Sequence, residues 1–429
     1  MTEVVRSLRT AAEMLLRQND RGGYTVPAPA LYPHQWNWDS AFIAIGWRHL
    51  DPRRAASELE MLLRGQWDDG MIPHITFRAE GNYEPGPQTW KTVGVAGAPV
   101  HAQASSITQP PIAATAARKV WERSGGDAQV EASLRAVAVG LERWHAWFAT
   151  TRDPTGIGVA AIVHPWESGM DNAPRWDAAM SRIDPGSIQY RRVDNTVIDP
   201  NHRPTRYDYD RYFYLVNERA RLGFAPPVPT TEPLLMADVA VTAMLCRAEA
   251  DLQWLQQALG LETTRAAARR SRLEAGLERA LWDASRRCYR DIDLTTGELS
   301  TVEHVANYLP LYAGVVPAQR ARDMVARLED PEQYGTPWPV PTVPLCDAAF
   351  EPQRYWRGPT WLNINWLLVI GMRMSGFDAA ATRLAERSIE LVERSGFREY
   401  FDPMTGNGCG ASDFAWTAAL TIDLLVDHL

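Results

Sequence analysis

WDSAFIAIGWRHLDPRRAASELEMLLRG, residues 38–65, reads as two helices joined by a tight turn. Trp38–Leu50 is apolar around most of its circumference, the mark of a helix buried on all sides. Asp51-Pro52 then restarts the chain as a helix, with a capping carboxylate followed by a proline at the first turn. The second helix runs to about Arg64 and stops at Gly65. The same grammar recurs along the chain. Residues 3–17 place apolar side chains at Val4, Val5, Leu8, Ala11, Ala12 and Leu15, then break at Arg21-Gly22-Gly23. Further helical patterns cover 110–123, 130–149, 208–222, 234–259, 263–283, 302–313, 317–328, 359–375, 378–394 and 412–428. Period-two alternation is nearly absent, with short exceptions at 157–163 and 288–292.

About a dozen helices with long connections predict an all-α fold: an (α/α)6 toroid of six helical hairpins, residues 1–429 forming a single domain. The long loops, 65–106, 164–207 and 329–358, would gather at one end and build a pocket. Three turns of the form Asp-x-(x)-Thr-Gly, at Asp153–Gly156, Asp293–Gly297 and Asp402–Gly406, read as hairpin tips or simple loops.

Composition narrows the function. Seventeen of 429 residues are tryptophan, many beside Gly, Pro, Asp and Asn. A core explains buried Trp, but aromatic faces among carboxylates and amides also fit a sugar, which offers CH faces and hydroxyls together. Net charge is −8, with no Lys/Arg block, so nucleic acid is not an expected partner. No apolar run is long enough for a membrane span. MTEVVRSLRT lacks the apolar centre of a signal peptide, and the four cysteines lie far apart, so a cytoplasmic chain with reduced thiols is expected. A homo-oligomer stays open. The chain lacks G-x-G-x-x-G after a strand, a P-loop, a G-x-S-x-G elbow and H-E-x-x-H. Asp68-Asp69 has no DDxxD partner, which disfavours both a metal site and a terpenoid cyclase.

Four loop segments concentrate polar and aromatic residues. LYPHQWNWDS, 31–40, sets Tyr32, Trp36 and Trp38 around Asp39 at a helix start. Asp39 there is either the N-cap or a ligand for sugar hydroxyls. GQWDDGMIPH, 65–74, is followed by Tyr83 and by Gln109, with Pro110 and Pro111 fitting a first helical turn. HPWESGMDNAPRWD, 164–177, holds Glu167, Asp171 and Asp177 among tryptophans. A carboxyl flanked by Trp loses water and gains proton affinity, as a general acid needs. Downstream, Arg203 either binds an anionic group or forms a loop salt bridge, and Tyr209 follows it. YWRGPTW, 355–361, and FREYFDPMTG, 397–406, complete the set, the second with Glu399 beside Tyr400.

Taken together, the stretches LYPHQWNWDSAF, GQWDDGMIPHI, ITQPP, WESGMDNAPRWD, HRPTRYDYDRY, YWRGPTW and EYFDPMTG resemble glycoside hydrolase family 63, in its branch of bacterial glycosylglycerate hydrolases. They run in the family's order over nearly the whole chain. The resemblance implies an (α/α)6 barrel and hydrolysis of a small anionic glycoside with inversion, without cofactor or metal. It makes Asp171 the general acid and Glu399 the general base. It lines the sugar pocket with Tyr32, Trp36, Asp39, Trp356 and Trp361, and gives the glycerate end to Tyr83, Gln109, Arg203, Tyr209 and Tyr355. One departure is Ala173, where related sequences carry Ser after Asp-Asn. An inverting pair must admit a water, so the two carboxyls should stand roughly 6.5–9.5 Å apart. The competing readings are a trehalase-like or oligosaccharide α-glucosidase of the same clan, which gives Arg203 and Tyr209 no role, and a non-catalytic sugar-binding toroid, which needs no paired carboxylates.

Overall fold

The computed structural model describes residues 3–78 and 83–429; residues 79–82 of the expected 65–106 loop lie outside the described residues. Fifteen α-helices are present among the described residues: α1 (Glu3–Asn19), α2 (Asn37–Trp47), α3 (Pro52–Leu63), α4 (Pro87–Trp90), α5 (Ala113–Arg123), α6 (Ala128–Thr151), α7 (Asp177–Ser181), α8 (Arg206–Arg221), α9 (Val239–Ala258), α10 (Thr264–Arg279), α11 (Pro310–Ala313), α12 (Ala318–Glu329), α13 (Leu362–Met374), α14 (Asp378–Ser395) and α15 (Ala415–Asp423).

The opening hairpin forms as the sequence predicts. Every residue of α2 is buried. The Asp51 carboxylate accepts from the backbone N–H of Arg53 and Arg54, at 2.9 and 3.1 Å, and Pro52 occupies the first turn of α3. Helix α3 turns Ala55, Ala56, Leu59 and Leu62 inward. Its buried Glu58 is held by Ser40 Oγ, Thr25 and Arg54.

Helix packing runs in a cycle. α2 lies against α5, α5 against α9, α9 against α11, α11 against α13, α13 against α15, and α15 against α2. A second set packs on these helices: α3 on α2, α6 on α5, α10 on α9, α14 on α13 and α1 on α15. One contiguous apolar cluster extends from Ala12 to Leu424.

The chain is mostly helical but not purely so. Eleven strands of two or three residues are present among the described residues. Three antiparallel pairings, Ala161 with Ala237, Ala237 with Ile292 and Ile292 with Leu299, build a four-stranded sheet. Several expected helices are therefore shorter. The pattern at 234–259 gives up 236–237 to this sheet, and 263–283 gives up 282–283 to a hairpin with 288–289. The 302–313 pattern becomes a 3-10 turn at Val305–Tyr308 followed by α11, and the 412–428 pattern ends in a π-helical turn, Leu424–His428. Gln109, Pro110 and Pro111 precede α5 rather than start it. Of the three Asp-Thr-Gly turns, those at 293–297 and 402–406 are hairpin tips, while 153–156 is a simple turn after α6. Among the described residues, no helix is long and apolar enough to cross a membrane.

Candidate active site

The site sits where α2, α13 and α15 begin, and where the chain enters α5. Strand Gln35–Trp36 pairs with Ile75–Thr76 and delivers the chain into α2. Of the two readings open for Asp39, the structure excludes the N-cap. Trp36 is the N-cap residue and has no capping side chain; Asp39 is already inside the first turn. The carboxamide of Gln109 replaces it, its Oε1 accepting from the Trp38 N–H at 3.2 Å. Asp39 is thereby released from capping. Among the described residues, no other residue donates a hydrogen bond to its side chain, which lines the pocket.

Aromatic rings form the walls. Trp356 and Trp361 stack at 3.8 Å with planes 7° apart, and Trp361 stacks in turn on Tyr400 at 4.8 Å. Tyr32 and Tyr83 meet Trp36 edge-on, at 5.3 and 5.2 Å. The wall and the acidic loop are tied together: Trp356 N–H donates to Asn172 Oδ1 at 2.9 Å, and Tyr212 OH donates to the Asp171 carbonyl at 2.9 Å. Gly169 lies in the left-handed region at φ +70°, and a Cβ there would come within 2.4 Å of the Trp38 ring. Only glycine lets the acidic loop lie this close to α2.

The three carboxylates of residues 164–177 separate. Glu167 is 1 % exposed and points away from the pocket. It accepts from Val163 N–H at 2.7 Å, Thr108 N–H at 3.1 Å and the Arg152 guanidinium. Asp177 forms a two-toothed pair with Arg357, both bonds 2.9 Å, toward solvent. Asp171 alone reaches the pocket. Burial pushes its pKa up to about 7; the Arg203 cation opposes this and the Glu399 charge adds to it. Asp39 is pushed well above the ordinary carboxylate range, first by burial, with the charges of Glu399 and Asp171 adding.

Glu399 lies on the far side of the chain's order but in the same pocket. Its Oε1 accepts from Tyr32 OH at 2.9 Å and its Oε2 from Ala411 N–H at 2.9 Å. The Gly410 turn makes that second bond possible: at φ +65°, a Cβ there would stand 2.4 Å from Glu399 Oε2. The loop salt bridge that the sequence left open for Arg203 is present. Arg203 donates through Nε to Asp194 Oδ2 at 3.2 Å. Its other nitrogens face the pocket, Nη2 donating to Tyr32 OH at 3.1 Å and Nη1 reaching Glu399 Oε1 at 3.5 Å, with the guanidinium over the Tyr355 ring at 4.0 Å. Tyr209 OH donates to Asp194 Oδ2 at 3.2 Å.

All twelve residues that the resemblance assigns border one pocket: Tyr32, Trp36, Asp39, Tyr83, Gln109, Asp171, Arg203, Tyr209, Tyr355, Trp356, Trp361 and Glu399. Trp38, which the sequence had set around Asp39, borders it too, and sequence reasoning missed His74, Trp166 and Trp416. Trp166 lies inside a tryptophan-rich loop stretch, but Trp416 belongs to an apolar helical stretch and carries no signal of its own. Asp194, bonded to both Arg203 and Tyr209, was missed as well. Among the described residues, one group with metal-ligand spacing, His49, Asp423 and Asp427, lies outside the pocket, and the Arg48 guanidinium donates to both its carboxylates. The four cysteines are unpaired.

Residues 32–417 match the family model described as a mannosylglycerate hydrolase MGH1-like glycoside hydrolase domain. The chain is 42 % identical to a mannosylglycerate hydrolase of Thermus thermophilus, over 95 % of this chain and 98 % of that one. It is 36 % identical to a glucosylglycerate hydrolase of Mycolicibacterium hassiacum, over 97 % of each. Its fold matches the crystal structure of a family 63 mannosylglycerate hydrolase from Thermus thermophilus in complex with Tris and D-glycerate, with a TM-score of 0.91 and 42 % identity, covering 97 % of this chain and 99 % of that one. On these matches and on the pocket just described, the chain belongs to the mannosylglycerate hydrolase MGH1-like family and is a glycoside hydrolase of family 63.

Proposed function

We propose that this enzyme cleaves 2-O-α-mannosyl- or 2-O-α-glucosyl-D-glycerate to free sugar and glycerate, with inversion at the anomeric carbon. Asp171 is the general acid and Glu399 the general base. The observation that carries the assignment is that Asp171 and Glu399 border one pocket while burial holds the Asp171 pKa near 7. A carboxyl with that proton affinity is substantially protonated at neutral pH and still acidic enough to donate.

The chemistry follows from the placement. Asp171 gives its proton to the glycosidic oxygen as the bond to the anomeric carbon breaks. Glu399, oriented by Tyr32 and Ala411 N–H, takes a proton from a water that attacks the opposite face. The transition state is oxocarbenium-like, and inversion requires the two carboxyls to leave room for the water, roughly 6.5–9.5 Å. The sugar packs against Trp36 and the stacked Trp356–Trp361 pair, with Asp39 on its hydroxyls. Tyr83, Gln109, Tyr209 and Tyr355 surround the glycerate, whose carboxylate Arg203 neutralises. The proposed scaffold is a single (α/α)6 domain over residues 1–429, supported by the cyclic packing of α2, α5, α9, α11, α13 and α15 with a second set of helices packed on them.

The test is a panel of mannosylglycerate, glucosylglycerate and trehalose, with the released anomer followed by NMR. The expected result is β-sugar from an α-linked glycosylglycerate, and trehalose left intact. Release of α-sugar, or faster cleavage of trehalose, overturns the proposal.

A further inference from the structure

We infer that Asp194, held by Arg192, is a positioning residue that governs how much of the Arg203 charge the catalytic pocket feels. The inference rests on the acid–base assignment above and adds to it two residues of the 182–205 connection.

Asp194 is 7 % exposed, in the 3-10 turn Asp194–Thr196. Its side-chain partners form one cluster. Arg192 grips both oxygens, Nε to Oδ1 at 2.8 Å and Nη2 to Oδ2 at 2.7 Å. Oδ2 also accepts from Arg203 Nε at 3.2 Å and Tyr209 OH at 3.2 Å. Arg192 is itself fixed: its Nη1 donates to the Pro204 carbonyl at 3.1 Å, and it lies 3.5 Å over the Tyr209 ring. The result is a chain of alternating charge, Arg192, Asp194, Arg203, Glu399, whose last link is 3.5 Å. Asp194 itself does not border the pocket; it acts through Arg203.

An Arg with a buried counter-ion on its back edge presents less net charge at its front edge. Arg203 lowers the proton affinity of Asp171. Burial works to raise that of Asp194, but Arg192 and Arg203 hold it below the ordinary carboxylate range, so it stays anionic wherever the enzyme works. The other groups facing Arg203 are accounted for. Tyr32, Tyr355 and Tyr209 are all raised above the ordinary phenol value, as is Tyr400, so they stay neutral below about pH 9. Tyr83, near Asp194, Arg203 and Asp171, is raised likewise. Asp39 faces Asp171 and Glu399 and is raised well above its usual range, and neither Arg192 nor Asp194 is among the groups acting on it. Arg192 and Asp194 thus set the one adjustable charge.

The sign of the effect separates this role from a structural one. Asp194→Asn leaves Arg203 without its rear counter-ion, so Asp171 should lose its proton at lower pH. The alkaline limb of kcat/KM, which reports free-enzyme ionisations, should move down by ~0.5 pH unit. Arg192→Met leaves Asp194 to offset Arg203 alone, and the same limb should move up by a similar amount. Asp194→Glu should restore it, and in an Arg203→Met background the Asp194→Asn shift should fall below half. Limbs that stay put, or that move in the same direction in both variants, overturn the inference. Should Asp194→Asn not fold, the upward shift in Arg192→Met still decides. The underlying assignment fails separately: it falls if Asp171→Asn and Glu399→Ala keep wild-type rates, whatever residues 192 and 194 do.

Discussion

Tyr32 donates its hydroxyl hydrogen to Glu399 Oε1 over 2.9 Å, joining residues 367 positions apart in the chain. The same hydroxyl receives Arg203 Nη2 at 3.1 Å, so one phenol fixes both the proposed base and the proposed anion ligand. Tyr32→Phe keeps the ring against Trp36 and removes only these bonds. A hydrogen bond to a charged group contributes ~1.5–3 kcal/mol, so kcat should fall about 10- to 100-fold. Steady-state kinetics check this, with a melting temperature within a few degrees of wild type as the control. Wild-type kcat would remove Tyr32 from the orientation of Glu399.

The Asp171 pKa of about 7 makes a prediction about pH. The proton donor must carry its proton, so kcat/KM should fall as pH rises through about 7. Stability follows the same sign. A carboxyl raised on folding stabilises the protein fully below its unfolded pKa of about 4, and that contribution is lost as pH climbs to the folded value. Asp171→Asn should therefore be inactive yet more stable than wild type at pH 8, by roughly 2 kcal/mol after allowance for partial exposure, and not at pH 4. Denaturant titrations at the two pH values measure the difference.

Much of this was readable because it rests on local rules. Asp51-Pro52 caps α3 through its own first turn, so the hairpin of α2 and α3 could be placed from adjacent residues. The twelve site positions came from the resemblance to glycoside hydrolase family 63; composition marked the Trp- and Asp-rich stretches around Asp39 and Asp171 but gave no such signal at Tyr83 or Gln109. The rest depended on partners far along the chain. Asp39 stays open between cap and sugar ligand on sequence alone, because Asp favours the cap position; Gln109, 71 residues away from Trp38, supplies the acceptor instead. Glu167 and Asp171 share one tryptophan-rich loop; only the Arg152 guanidinium, brought in from the end of α6, shows that Glu167 is structural. The two-residue strands are too short to carry a period of two. Asp194 had no motif around it, since its role arises only when Arg192, Arg203 and Tyr209 converge.

Gly410 offers a test of how tightly Glu399 must be held. A Cβ at 410 would stand 2.4 Å from Glu399 Oε2, and the residue has φ +65°. Gly410→Ala should displace the carboxylate and cut kcat about 100-fold, since small misplacements of catalytic groups are that costly. Gly297→Ala is the matched control: φ is +81°, but nothing lies within 4 Å of the new Cβ. Both substitutions incur similar backbone strain, of order ~1 kcal/mol. Only the first should change turnover. Equal kcat in the two would mean that Glu399 adjusts freely, which its place in the mechanism does not allow.

Glu167 and Asp171 lie four residues apart and should fail in opposite ways. Glu167 sits beside Arg152, which is 1 % exposed. Glu167→Gln leaves that guanidinium buried without its counter-ion, and breaking such a pair costs about 3–5 kcal/mol. The amide also presents its NH2 to one of two N–H groups, Val163 on Oε2 or Thr108 on Oε1, that need an acceptor. The variant should therefore unfold at much lower denaturant, while the fraction that stays folded turns over substrate within a few-fold of wild type. Asp171→Asn should do the reverse, losing turnover and keeping the fold. Denaturation midpoints paired with active-site-normalised kcat separate the cases; a folded but inactive Glu167→Gln would put Glu167 into the chemistry and require the proton donor to be reassigned.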